Sequence, residues 1–379
     1  MKRQFIILPQ SRLFLIFLLF LSSNLSEASN PFATSLKRKT TISISGEKFL
    51  INGVPTLKGK SWKGYKLEGL LPNSRMVQGI FDDLNDSTRL LWAYPDTKTW
   101  DANRNTNDFI REMNRWRKKG LLAFTINLQG GSPQGYSKDQ PWENSAIDPV
   151  GNLRGSYMDR LEKILDKSDE LGMVTVLGFF YFGQDERIKD EDAVKNGVRN
   201  VLKWLSEHKF TNVLIEINNE CNIKYDHAIL KPDRVHELIE LAKSFSSNGN
   251  RFLVSTSYGG GNVPSSEVIK ASDFILLHGN GVGKPEGIVD QVAKTRKVEG
   301  FTPKPIVYNE DDHFDFDKPT NNFIAATSVY ASWGYFDYRM KGESFNEGYQ
   351  SVPVDWGINS ERKKGFFSLV EDIFGSSGN

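Results

Sequence analysis

Residues 213–222 read Val213-Leu-Ile-Glu216-Ile-Asn218-Asn219-Glu220-Cys221-Asn222. A short aliphatic run that stops abruptly in polar residues is the signature of a strand buried on both faces. Working outward, similar runs recur at Thr56–Trp62, Leu122–Leu128, Val174–Phe180, Phe252–Ser257, Phe274–Leu277, Pro305–Tyr308 and Gly334–Tyr338. Between them lie segments of helical periodicity: Phe109–Lys118, Tyr157–Leu171, Ala193–Glu207, Val235–Phe245, Ile288–Arg296 and Phe323–Ala331, with a short one at Ser265–Lys270. Several close on a basic residue followed by glycine, as at Lys118-Lys119-Gly120. Eight buried strands alternating with helices predict a (β/α)8 TIM barrel, an α/β fold. A doubly wound open sheet is the structural alternative.

The barrel carries additions. Ile42–Ser45, Gly46 and Phe49-Leu-Ile-Asn52-Gly53 read as an N-terminal β-hairpin, because Asn-Gly after an apolar run is a turn signal. The stretch from Lys63 to Asn105, which holds Trp92, Tyr94 and Trp100, reads as an enlarged first βα loop with some local helix. No repeat or low-complexity linker divides the chain, so residues 29–379 form one catalytic-type domain.

The composition agrees. The chain has 379 residues, 39% hydrophobic and 25% charged, with a formal net charge of +1. This excludes disordered, collagen-like and coiled-coil proteins and leaves no electrostatic footprint for nucleic acid. Residues 1–28 read as a signal peptide. Lys2, Arg3 and Arg12 precede the apolar run Leu13–Leu21, and small residues stand at Ser26 and Ala28. Nine residues span only about 13 Å as a helix, too little for a membrane anchor. The expectation is a secreted or periplasmic protein with no membrane contact after cleavage. Its single cysteine, Cys221, cannot form an internal disulfide.

In such barrels chemistry sits where strands end. The second predicted strand ends in Asn127-Leu-Gln129, the third in Tyr181-Phe-Gly-Gln184-Asp185, the fifth in Tyr258 and the sixth in His278-Gly-Asn280. The seventh ends in Asn309-Glu310-Asp311-Asp312-His313, and the eighth carries Asp337. Glu220 and Glu310, closing the fourth and seventh, are the candidate catalytic carboxylates. A pair of carboxyls at one mouth can divide the roles of proton donor and of nucleophile or base. Glu216 shares a face of its strand with Glu220. It reads as a structural carboxylate paired with a basic neighbour.

The segment Glu216-Ile-Asn-Asn219-Glu220 resembles the fourth-strand motif of the large clan of retaining (β/α)8 glycoside hydrolases, the cellulase- and mannanase-like superfamily. The resemblance implies Glu220 as acid/base, Glu310 as nucleophile and Asn219 as a ligand of the sugar 2-hydroxyl. It covers the chain in layout but only short stretches in sequence. One departure is that many members have proline after the acid/base, where this chain has Cys221. The whole chain is also similar to secreted bacterial proteins, a likeness that adds no activity.

The expected substrate is therefore a poly- or oligosaccharide, with no cofactor. Asn127, Gln129, Tyr181, Tyr258, His278 and Asn309 are candidate substrate-binding residues. Trp62 and Trp333 are candidate stacking walls, since an indole matches the apolar face of a sugar ring. Two rivals stay open. One is a non-catalytic glycan-binding protein on a decayed barrel. The other is a metal-dependent hydrolase using Asp311–Asp317, although that spacing fits no EF-hand or zinc signature. The segment Gly279-Asn-Gly281-Val-Gly283-Lys284 fails the phosphate-loop spacing and the dinucleotide pattern. Oligomeric state and sugar identity are not legible in the sequence.

Overall fold

The computed structural model describes Met1 and residues 38–135, 137–246 and 251–375. The segment read as a signal peptide lies, apart from Met1, outside the described residues.

Strands β1 (Ile42–Ser45) and β2 (Lys48–Ile51) form the expected antiparallel hairpin, extended by β3 (Val54–Pro55). Asn52 and Gly53 both have positive φ, 54° and 75°. That is the conformation an Asn-Gly hairpin turn requires. Ile42 and Phe49 are buried against Leu71, Val174, Leu214 and Phe274, residues near the starting ends of barrel strands. The hairpin thus plugs the floor of the barrel.

The barrel itself is β6 (Asn73–Arg75), β7 (Ala123–Asn127), β8 (Val174–Phe180), β9 (Val213–Asn218), β10 (Leu253–Ser255), β11 (Ile275–His278), β12 (Ile306–Glu310) and β13 (Gly334–Phe336). Parallel ladders run in the order β10-β9-β8-β7-β6-β13, and β11 pairs with β12. A parallel bridge between Val307 and Ser332 joins β12 to β13. At the remaining seam the Asp273 N–H donates to the Val254 carbonyl at 2.9 Å. The doubly wound alternative is thereby set aside.

Helices α1 (Ala102–Lys118), α2 (Gly155–Glu170), α3 (Glu191–Glu207), α4 (Val235–Ser244), α5 (Ser266–Ala271), α6 (Pro285–Thr295), α7 (Asn322–Ser328) and α8 (Glu361–Phe374) follow the strands in turn. Asp101, Asp190, Ser265, Asn321 and Ser360 each accept a backbone N–H in the first turn of a helix. Each satisfies a donor the helix cannot pair internally. No helix among the described residues is long and apolar enough to cross a membrane.

One strand lies elsewhere than expected. The run Thr56–Trp62 is not the first barrel strand; its end forms β4 (Ser61–Trp62), a two-residue strand paired with β5 (Tyr65–Lys66). The first barrel strand is Asn73-Ser74-Arg75, inside what hydropathy marks as loop. Its residues are polar because each has a partner inside the barrel wall. Asn73 donates to the Leu71 and Tyr308 carbonyls and Ser74 to Tyr335, while Arg75 meets carboxylates. The first βα loop consequently begins at Met76. Within it Trp92 packs edge to face on Trp142 of the second βα loop, and Tyr94 stacks on Trp100.

Candidate active site

Glu220 lies two residues past the end of β9 and Glu310 is the last residue of β12, so both stand at the mouth where the barrel strands end. Glu220 has φ +49°, a left-handed backbone that non-glycine residues adopt at a cost. The turn is held from β10's side. The Glu220 N–H donates to Ser257 Oγ and the Cys221 N–H to the Ser257 carbonyl, each at 2.9 Å. Ser257 Oγ in turn donates to Glu216 Oε1 at 2.6 Å.

Three carboxylates, one guanidinium and one imidazole then meet in a nearly closed space. Arg75 reaches Glu310 Oε2 through Nε at 2.5 Å, Glu216 Oε2 through Nη1 at 3.5 Å and Asn219 Oδ1 through Nη2 at 2.5 Å. His278 Nδ1 lies 3.0 Å from Glu220 Oε1 and 3.6 Å from Glu310 Oε2, and its Nε2 lies 3.9 Å from Glu216 Oε1. One carboxylate oxygen each of Glu220 and Glu310 lie within 4.8 Å of one another. Glu220 is 3% exposed and Glu310 5%.

These charges perturb one another. Burial drives the Glu310 carboxyl above its ordinary range, and the like charge of Glu220 adds to this; Arg75, His278 and a hydrogen bond from Asn280 oppose it. Burial disfavours protonation of His278, but the charges of Glu310 and Glu220 and the hydrogen bond to Glu220 outweigh it, so its pKa is raised. Burial, reinforced by Glu310 and Glu220, pushes the Tyr181 phenol far up.

The site therefore gathers Glu220, Glu310, Asn219, His278, Tyr181 and Asn309. Asn309 donates to Glu216 Oε2 at 3.3 Å. Asn219 Nδ2, Asn309 Oδ1 and both side-chain heteroatoms of Asn127 are buried without a hydrogen-bond partner among the described residues. They are polar groups a hydroxylated ligand can satisfy. Other candidates are engaged elsewhere. Gln129 clamps the second and third loops together, accepting from the Tyr181 N–H and donating to Ser145. The Tyr258 hydroxyl accepts from Ser265, at the start of α5.

Neither candidate stacking wall faces the site. Trp62 sits on β4 and donates to Asp372 in the last turn of α8. Trp333 is buried between the barrel wall and the helices, stacked on Phe323 and Tyr335, with its N–H on Asp311 Oδ2 at 2.9 Å. Strand alternation explains this: Trp333 and Tyr335 share the face toward α8, where both contact Phe366. Sequence reasoning missed Arg75 and Asn280. Arg75 carries no hydropathy signal, and Asn280 is one polar residue among several at a strand end.

Among the described residues, two groups of side chains have metal-ligand spacing. Glu220, His278 and Glu310 form one, but a guanidinium already lies against Glu310, so a cation there would face a buried positive charge. Asp311, Asp312 and His313 form the other. Asp311 is occupied as an organiser of its loop: Oδ1 accepts from His313 N and Nδ1, Oδ2 from Trp333 and Asn322. Neither donor set fits a catalytic metal.

No protein-family model matches the chain, and no curated protein does. Solved structures do. A protein described as a glycoside hydrolase matches with a TM-score of 0.54 and 12% identity, covering 88% of this chain and 73% of its own. An endo-1,4-beta-mannanase from Rhizomucor miehei matches with a TM-score of 0.52 and 12% identity, covering 88% of this chain and 98% of its own. A broad-specificity endoglucanase from Bacteroides salanitronis gives 0.52 at 10% identity, covering 81% and 93%. The (β/α)8 fold is shared with these proteins.

Proposed function

We propose that this protein is a glycoside hydrolase that cleaves O-glycosidic bonds in a poly- or oligosaccharide by a retaining double displacement. One observation carries the reading: two carboxylates at the ends of β9 and β12 have oxygens within 4.8 Å of each other, buried beside a fixed guanidinium. Carboxyl groups about 5–5.5 Å apart suit a covalent intermediate, whereas about 6.5–9.5 Å leaves room for an intervening water. One solved structure of like fold is described as a glycoside hydrolase and another as an endo-1,4-beta-mannanase, which supports the choice.

Glu310 is the nucleophile. Arg75 Nε and Asn280 Nδ2 each donate to one of its oxygens, aligning the carboxylate and favouring its charged form. A Glu310 oxygen attacks the anomeric carbon as the bond to the leaving oxygen breaks. Glu220 gives that oxygen a proton. His278 Nδ1 lies 3.0 Å from Glu220 Oε1 and orients that carboxyl. Water then attacks the glycosyl ester, Glu220 takes the water's proton, and Glu310 leaves as carboxylate. Asn219, its Oδ1 fixed by Arg75, directs Nδ2 to a sugar hydroxyl.

We also propose export, on the basis of Lys2, Arg3, Arg12 and the apolar run to Leu21. N-terminal sequencing of protein recovered outside the cytoplasm tests it, and an intact residue 1 there would count against cleavage near Ala28.

The test of activity is sugar release by purified protein across polysaccharides and aryl glycosides, with Glu310→Ala alongside. Release by the wild type that vanishes in the variant supports the reading. Release that persists in Glu310→Ala refutes it. Binding on a glycan array with no turnover of any bound glycan would favour the non-catalytic alternative.

A further inference from the structure

The segment after β11 reaches the site through an irregular ladder. Ile275, Leu276 and Leu277 pair in sequence with Ile306, Val307 and Tyr308, but His278 pairs with Glu310. β12 thus carries one extra residue, Asn309, and such bulges re-aim the side chains around them. The Gly279 N–H donates to the Glu310 carbonyl at 2.7 Å, which brings residue 280 alongside the Glu310 side chain.

This backbone is wedged on both sides. A Cβ at Gly279 would lie 2.2 Å from Asp311 Oδ2, and one at Gly260 would lie 1.9 Å from the Asn280 carbonyl oxygen. Both neighbours must be glycine for residue 280 to sit where it does. Asn280 Nδ2 then donates to Glu310 Oε1 at 2.5 Å, while Arg75 holds Oε2. A carboxylate only accepts, so the amide must turn its NH2 to Glu310 and its Oδ1 away. That Oδ1 is buried and has no hydrogen-bond partner among the described residues. An acceptor kept dry without a donor is an unfavourable arrangement unless a ligand completes it.

We propose that Asn280 is a positioning residue for Glu310 and, through Oδ1, a specificity determinant that accepts a hydrogen bond from a hydroxyl of the reacting sugar. The proposal rests on the glycosidase reading above. It couples two events through one rigid amide: the hydroxyl that fills Oδ1 also fixes the group that holds the nucleophile. An amide does not ionise in the working pH range, so this support for Glu310 does not titrate.

The experiment measures kcat and KM of wild type, Asn280→Ala, Asn280→Asp and Glu310→Ala on an aryl glycoside that the wild type hydrolyses, and on its monodeoxy analogues. Wild type should discriminate against one deoxy analogue by about tenfold or more, the effect of one hydrogen bond. Asn280→Ala should lose that discrimination and lower kcat on the parent sugar. Asn280→Asp keeps an acceptor oxygen but sets a second carboxylate against Glu310, so the acidic limb of its kcat profile should move to higher pH. Unchanged kcat and unchanged discrimination in Asn280→Ala, with Glu310→Ala inactive, would overturn this proposal alone. An unshifted profile in Asn280→Asp would overturn the contact with Glu310. Hydrolysis that survives in Glu310→Ala would instead remove the glycosidase reading beneath it.

Discussion

Arg75 Nε lies 2.5 Å from Glu310 Oε2, although the two residues are 235 positions apart and both are buried. The same guanidinium reaches Glu216 and Asn219, so one side chain from the first barrel strand organises groups on the fourth and seventh. It faces Glu310, Glu216 and Glu220, and among the described residues His278 shares the compensation. The pair is therefore a structural hub as well as an electrostatic one.

Removing that hub leaves buried carboxylates uncompensated. Arg75→Met should cost about 3–5 kcal/mol of stability, the usual penalty for breaking a buried ion pair from one side. It should also abolish turnover. Arg75→Lys keeps the charge but not the three-pronged geometry, so it should recover much of the stability and little of kcat. Denaturant unfolding and steady-state rates on the same preparations check both statements.

The positive φ at Glu220 makes a prediction that separates stability from activity. Glu220→Ala and Glu220→Gly should both be poor catalysts, most severely on substrates with weak leaving groups. The glycine variant should be more stable than the alanine variant by about 1 kcal/mol, because glycine adopts left-handed backbone freely. Equal melting temperatures would mean that the turn carries no strain.

The proton balance of the cluster sets a pH dependence. Glu310 and His278 both have raised pKa values in the folded protein, so the folded state holds more protons than the unfolded chain. Stability from His278 is fully present below about pH 6.5 and is lost as pH rises through its higher folded value. The buried Glu310 adds to this, since ionising it becomes costly above about pH 4.3. Glu310→Gln should thus raise the melting temperature, and by more at pH 8 than at pH 5. A gain that shrinks toward alkaline pH would contradict the assignment.

Arg75 beside Glu310 and the four contacts on Asp311 lead to a further expectation. Dialysis against a chelator should leave sugar release unchanged. Loss of activity that added divalent metal restores would overturn the proposed mechanism.

Much of this layout was legible before any coordinates. Val174–Phe180 and Val213–Asn218 are largely apolar because both faces are covered, and the limits read for the first are those of β8. Glu220 and Glu310 were locatable because strand ends mark the barrel mouth. Asn73-Ser74-Arg75 was illegible for the opposite reason: its partners are carbonyls and carboxylates from other strands, which hydropathy cannot register. Trp333 misled because side-chain direction decides its role. One residue of register separates the barrel lumen from the helix layer. The contact of Asn280 depends on the bulge at Asn309, for which no local residue pattern is a signal.

The most direct measurement is the configuration of the first-formed sugar, followed by proton NMR immediately after the wild-type protein is mixed with a glycoside it cleaves. Carboxylate oxygens within 4.8 Å predict that the product first appears with the anomeric configuration of the substrate, mutarotation following later. An initial product of the opposite configuration would contradict a covalent intermediate on Glu310.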